Sequence, residues 1–227
     1  MVNRIIYIFL IAISLLEIFA EYLSLNWLVI STKPLLMPLL LVYVVCNLTH
    51  IPEKSKIQLI AALIFSLIGD TLLIFSSKNE LFFLLGLSMF LITHVFYTLI
   101  FVKNKKQILG WNQIVLILLI IISYYFSLMY IINPKLSDFS IPVYLYGIIL
   151  STMLFTAFIA DFKNQKTVIL IGAIIFVISD SLIALNKFYF DKPHDLIQPT
   201  IMITYILGQF CIVHGIIKYL RKSRIYP

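Results

Sequence analysis

Eight runs of about twenty apolar residues, at 5–23, 31–49, 57–76, 81–102, 109–132, 142–160, 167–190 and 199–219, dominate this chain. Crossing a hydrocarbon layer about 30 Å thick takes about 20 residues at 1.5 Å rise, and a helix satisfies every backbone polar group within its own segment. Composition agrees: 62% of residues are hydrophobic and 12% charged, against about 45–50% and 25% in soluble domains. The mean hydropathy is +1.05. The expected fold is therefore all-α, a single domain over 1–227 built as one bundle of eight transmembrane helices. No low-complexity segment divides it, and the longest connections, Asn133 to Ile141 and Asp191 to Gln198, have ordinary lengths.

The remaining charges set an orientation. Counted through alternate loops, one side carries Arg4, Lys54, Lys56, Lys103, Lys105, Lys106, Lys163, Lys166, Lys218, Arg221, Lys222 and Arg224. The other carries Lys33, Lys78, Lys135, Lys187 and Lys192. The positive-inside rule then places both termini in the cytoplasm, as an even number of spans requires; if the cell is bacterial, the membrane expected is its inner, or plasma, membrane. The net charge of +7 is explained by this topology. It implies no nucleic-acid partner, because the basic residues are spread over short inner segments with no folded domain to carry them. Arg4 ahead of Ile5 to Leu16 imitates a secretion signal, but Ile18-Phe19-Ala20 lacks small residues at both cleavage positions and Glu17 interrupts the run; a retained first helix is expected. Cys46 and Cys211 both fall inside spans, so spacing offers neither a disulfide framework nor a zinc motif.

Against this background two acidic residues stand out. Asp70 lies in Ile68-Gly69-Asp70-Thr71-Leu72-Leu73 and Asp180 in Ile178-Ser179-Asp180-Ser181-Leu182-Ile183. A carboxylate in hydrocarbon costs at least about 2.5–3.5 kcal/mol, so each must be neutralised, paired or put to use. The frames occupy spans three and seven, four helices apart, which allows a parallel four-plus-four internal repeat; a chance match in an Ile/Leu-rich chain is the alternative. Each aspartate is about fourteen residues into an outward-running span, somewhat past the midplane. Glu17, Lys33 just before Pro34, His94, Tyr144, Tyr205 and Gln209 fall between that level and the outer interface, as one buried polar cavity would require.

Each of these has a plainer reading. The aspartates can be held by Ser, Thr or Tyr of neighbouring helices, or by Lys33. His94 can be an interhelical donor, Lys33 can snorkel to the interface, and Tyr97, Tyr144 and Tyr205 can be interfacial anchors among 13 tyrosines. Gly86, Gly147, Gly172 and Gly208 allow close helix approach.

Taken in order, the polar residues resemble a known set. Thr32-Lys33-Pro34 in span two, Gly69-Asp70-Thr71 in span three, and Gly86-Leu87-Ser88-Met89-Phe90 with His94 and Tyr97 in span four form its first half. Tyr144 in span six, Gly172-Ala173 with Phe176 and Ser179-Asp180 in span seven, and Tyr205 with Gly208-Gln209 in span eight form its second. This order is similar to that of the YhhN/TMEM86 family of lysoplasmalogenase-like integral membrane proteins. The resemblance covers nearly the whole chain. It implies a hydrolase that cleaves the vinyl ether bond of a lysophospholipid substrate, giving a fatty aldehyde and glycerophosphoethanolamine or glycerophosphocholine, with Asp70 and Asp180 as the family's motif aspartates.

The chemistry suits two carboxylates. Protonating the β-carbon of a vinyl ether gives an oxocarbenium ion, which captures water and collapses through a hemiacetal to aldehyde and alcohol. One aspartate can hold the proton while the other, ionised, stabilises the cation and orients the water, as in glycosidases; the sequence assigns neither role to either residue. No cofactor or metal is needed, and His50, His94, His194 and His214 are scattered singly. Lys33 is placed to hold the lipid phosphate, with His94, Tyr97, Tyr144, Ser179, Tyr205 and Gln209 as candidate substrate-binding residues around glycerol or water. A serine lipase is disfavoured, since Gly86-Leu87-Ser88-Met89-Phe90 lacks the second glycine of a nucleophile elbow. The main rival is a proton-coupled transporter with the aspartates as relay groups, against which stands the expectation that Pro34 and Pro142 only start helices. A non-catalytic lipid-binding protein is a third reading.

Overall fold

In the computed structural model, residues 2–48, 53–105, 109–190 and 196–225 are described. They form α1 (Val2–Tyr22), α2 (Asn26–Asn47), α3 (Glu53–Ile74), α4 (Glu80–Lys103), α5 (Trp111–Ile132), α6 (Ser140–Ile159), α7 (Lys166–Phe188) and α8 (Ile197–Ile225). Short 3-10 turns at Asn133–Lys135, Ser137–Phe139 and Lys163–Gln165 join α5 to α6 and α6 to α7. No β-strand occurs among the described residues. All eight helices are long and apolar enough to cross a membrane, and the chain is an integral, multi-pass membrane protein.

The helix bounds follow from the sequence with one instructive difference. The start of α2 lies at Asn26, several residues ahead of the expected position 31, so Pro34 and Pro38 stand inside the helix. The expectation that Pro34 only starts a helix is therefore corrected. Pro142 does sit in the first turn of α6, where its missing N–H is not needed. Inside α2 the two prolines remove the amide donors that would reach the carbonyls of Ile30 and Pro34, a loss that neighbouring helices make tolerable within a membrane.

Packing is led by α7 against α8 and α3 against α4, followed by α1–α2, α2–α3 and α4–α6. Because α8 also touches α1 and α2, the chain closes into a ring of helices. In α8 56% of the spanning window is buried, whereas in α5 only 11% is, so α8 runs through the interior and α5 lies outside against α6 and α7. The outer face of α5 presents Leu119, Ile120, Phe126 and Tyr130 to lipid.

Glycines set the closest approaches. A Cβ built on Gly69 would lie 2.8 Å from the Phe90 ring, and one on Gly86 would lie 2.9 Å from Leu73, so α3 and α4 touch where Asp70 begins. At the α7–α8 crossing a Cβ on Gly172 would meet the Gly208 carbonyl oxygen at 3.0 Å, and one on Gly208 the Gly172 oxygen at 3.1 Å. Such backbone contact is how membrane helices gain packing energy without a hydrophobic drive.

Candidate active site

Both intramembrane aspartates are buried, Asp70 at 2% exposure and Asp180 at 5%, and each is met by a phenol. Tyr205 on α8 donates to Asp70 Oδ2 at 2.7 Å. Tyr146 on α6 donates to Asp180 Oδ2 at 2.5 Å, and His94 Nε2 on α4 lies 2.8 Å from the same oxygen. His94 Nε2 and the Tyr146 hydroxyl are 2.9 Å apart, so His94, Tyr146 and Asp180 form one triangle. His94 Nδ1 is buried and meets no partner among the described residues.

Aromatic rings join the halves. Phe176 packs edge-on against both His94, at 5.1 Å between centroids, and Tyr205, at 5.6 Å. Phe90 closes on Tyr205 from the other side at 5.7 Å. The two carboxylates lie within reach of each other's charge. Each aspartate thus takes a ring from a helix of the opposite half of the chain, α3 from α8 and α7 from α4.

The remaining candidates fall into three places. Tyr97 donates to Gln209 Oε1 at 2.5 Å, and Gln209 Nε2 donates to Ser66 Oγ at 2.8 Å, a buried chain that locks α4, α8 and α3 one turn below the Tyr205–Asp70 contact. Ser179 donates to the Ile201 carbonyl at 3.1 Å, which spends its hydroxyl on the α7–α8 interface beside Asp180. Tyr144 does not join the cluster: its hydroxyl donates to Asn133 Oδ1 at 2.7 Å, at the edge of an open groove against α5. The tyrosine on the inner face of α6 is Tyr146, two residues on.

Lys33 lies inside α2 rather than at its entrance. Its Nζ donates to Glu21 Oε1 at 3.1 Å, with both side chains 12% exposed. One turn deeper, the fully buried Glu17 accepts from Thr32 Oγ1 through Oε2, while Oε1 has no partner among the described residues. Lys33 is in electrostatic reach of Glu17 and Asp70. A row of charged groups thus runs from Lys33 and Glu21 through Glu17, between α1 and α2, on the side of Asp70. Depth in the membrane groups Glu17 with Lys33 in the sequence, but nothing in spacing pairs Glu21 with that lysine.

Other chemistries find little here. Ser88 bonds back to the Leu84 carbonyl at 2.8 Å on an exposed face. Among the described residues no three His, Cys, Asp or Glu side chains converge on a metal position. His214 pairs with Tyr43 at 2.9 Å, far along α8, and His50 and His194 lie outside the described residues.

Beside Asp180 a narrow cavity of about 30 Å³ opens between α3, α4, α6 and α7. Asp180 and Tyr146 are the only polar side chains in its wall.

Comparison with known proteins supplies the family. The YhhN family profile matches residues 28–216. Lysoplasmalogenase TMEM86A of Homo sapiens is 31% identical over 167 residues, covering 70% of this chain and 65% of that protein. Its counterpart in Bos taurus is 29% identical over 172 residues, covering 73% and 66%. The chain therefore spans about two thirds of the length of these curated relatives. No solved structure matches it.

Proposed function

The chain belongs to the YhhN family, and from that membership and its paired aspartates we propose that it is a lysoplasmalogenase-like hydrolase cleaving the vinyl ether of a lysophospholipid. The observation that carries the reading is the unequal setting of the two buried carboxylates. Asp180 Oδ2 has two close partners, the Tyr146 hydroxyl and His94 Nε2. Asp70 Oδ2 has one, the Tyr205 hydroxyl. Asp70 is accordingly the proton donor to the β-carbon, and Asp180 the carboxylate that faces the oxocarbenium ion and takes a proton from the attacking water. Collapse of the hemiacetal leaves a fatty aldehyde and the glycerophospho alcohol.

Lys33 has three N–H donors and commits one to Glu21, which leaves others for a lipid phosphate at a mouth between α1 and α2. Tyr205 holds Asp70, and Gln209, one turn below, ties α8 to α3 and α4. Tyr97 and Ser179 fix the helices that carry the two aspartates.

The orientation belongs to the same proposal. With the charge bias of 12 to 5, the end where the even-numbered helices begin faces outward, and so does the Lys33 mouth. Reporter fusions at Asn104 and Gln165 are expected to read cytoplasm and fusions at Asn79 and Asp138 the opposite side; the reverse pattern would invert the mouth. The exchange of rings between halves also favours the four-plus-four repeat, since α8 serves Asp70 of α3 as α4 serves Asp180 of α7.

A proton-coupled transporter gains one supporting observation, the two prolines inside α2 next to Lys33. A single assay separates the readings. Purified protein incubated with a lysoplasmalogen and with an ester lysolipid of the same headgroup is expected to release aldehyde from the first and no fatty acid from the second. Folded protein that releases no aldehyde would reject the hydrolase.

A further inference from the structure

Two helix faces converge on the cavity beside Asp180, and both run from polar to apolar. On α7 the wall is made by Asp180, Ile183, Ala184 and Phe188, spaced as one helical face. On α4 it is made by Phe83, Leu87 and Phe90, and the same stripe continues one turn on to His94, which binds Asp180. Each stripe therefore starts at the reacting centre and leads away through hydrocarbon. At the far end Phe83, Phe139 and Phe188 meet one another at centroid distances of 5.6–5.8 Å. Lys187 lies over Phe83 at 5.4 Å and Phe139 at 6.0 Å, and 4.0 Å from Glu80.

Resting on the hydrolase reading, we propose that this cavity is the seat of the substrate's alkenyl chain and that the three phenylalanines under Lys187 are its closure. The scissile bond joins a hydrocarbon chain to a polar glycerol, so the two must leave the carboxylates in different directions. The charged direction is occupied by Lys33, Glu17 and Glu21 between α1 and α2, on the Asp70 side. The cavity leaves on the other flank, from Asp180 between α4, α6 and α7, and apart from Asp180 and Tyr146 its wall offers a ligand only apolar contact. Phe90 belongs to both, lining the cavity and packing on Tyr205, so the vinyl ether is held where that ring ends. At about 30 Å³ the cavity has room for about two waters and not for a chain, so the closure must part as the chain enters.

Ala184 is the sensitive position, small and one turn from Asp180 along the wall. With hexadecenyl and butenyl lysoplasmalogens of one headgroup, the shorter chain ending before it reaches Ala184, Ala184→Phe is expected to cut kcat/KM for the long chain by about tenfold or more and for the short chain by about twofold at most. In the opposite sense, Phe83→Ala is expected to admit a chain tipped with an aryl group that the unaltered protein rejects. Equal loss for both chain lengths in Ala184→Phe protein of unchanged thermal stability would overturn the proposal. Should Ala184→Phe fail to fold, the Phe83→Ala result alone decides it, with continued rejection of the aryl chain counting against. If the unaltered protein releases no aldehyde from any chain, the hydrolase reading falls by itself. Uncleavable alkyl-ether lysolipids then test the seat: stabilisation that grows with chain length and is lost in Ala184→Phe supports it, and stabilisation indifferent to the substitution refutes it.

Discussion

Asp70→Asn and Asp180→Asn are each expected to lower aldehyde release by roughly 10²–10⁴-fold while leaving a folded, detergent-stable protein. Asn preserves the size of the side chain and, through Oδ1, an acceptor for Tyr205 or for Tyr146 and His94. It has no carboxylic proton to give and no negative charge to set against an oxocarbenium ion. The double variant is expected to be hardly worse than either single one, because groups that act as a unit lose their function together. A structural role predicts another pattern. Weakening a buried hydrogen-bond network would lower thermal stability along with activity, or, since dispensing with intramembrane charge can stabilise, the change would raise stability with activity intact. Near-normal aldehyde release from either well-folded Asn variant would end the two-aspartate mechanism and return the transporter to first place.

The roles within the pair separate in finer variants. In the proposed scheme Tyr146 and His94 hold Asp180, and Tyr205 holds Asp70. They are positioning residues in this scheme.

Much of this arrangement was legible before any coordinates. Eight hydrophobic runs place the spans, and a carboxylate in each of two such runs is too costly to leave unpartnered, as the buried and hydrogen-bonded Asp70 and Asp180 bear out. The pattern fails where a choice depends on which way a helix faces. Tyr144 and Tyr146 are two residues apart, about 200° around α6, and an all-apolar span carries no amphipathic signal to say which looks inward. Only the positions of His94 and Asp180 decide for Tyr146. Lys33 shows a second limit. Pro34 reads as a helix-starting proline, so the lysine beside it reads as interfacial, and no local rule reveals that α2 continues through both prolines or that Glu21, on another helix, waits as the partner. Glu17 argues against a cleavable leader, yet what a buried carboxylate does there depends on Thr32 and Asp70, which spacing cannot connect.

The α7–α8 crossing is where the site is most vulnerable to a change that touches no reacting group. A Cβ at Gly172 would stand 2.8 Å from the Cβ of Cys211 and 2.9 Å from the Ile212 amide nitrogen; one at Gly208 would stand 3.0 Å from the Phe176 nitrogen. These neighbours are backbone or the root of a side chain, so a larger residue cannot be absorbed by a rotamer change and the helices must separate. Gly172→Leu and Gly208→Leu are each expected to cost about 1–3 kcal/mol or more, read as a fall in Tm in detergent. Activity should fall further than stability alone explains, because the crossing sets Ser179, next to Asp180, against Ile201 and Phe176 against Tyr205, which holds Asp70. The two substitutions should be less than additive, since the first has already opened the interface that the second would open. Gly110→Ala is the control: a Cβ there meets nothing within 4 Å, and neither Tm nor activity should move. A Gly208→Leu protein that kept both would mean that α8 does not approach α7 so closely, and that Tyr205 reaches Asp70 from a different seat.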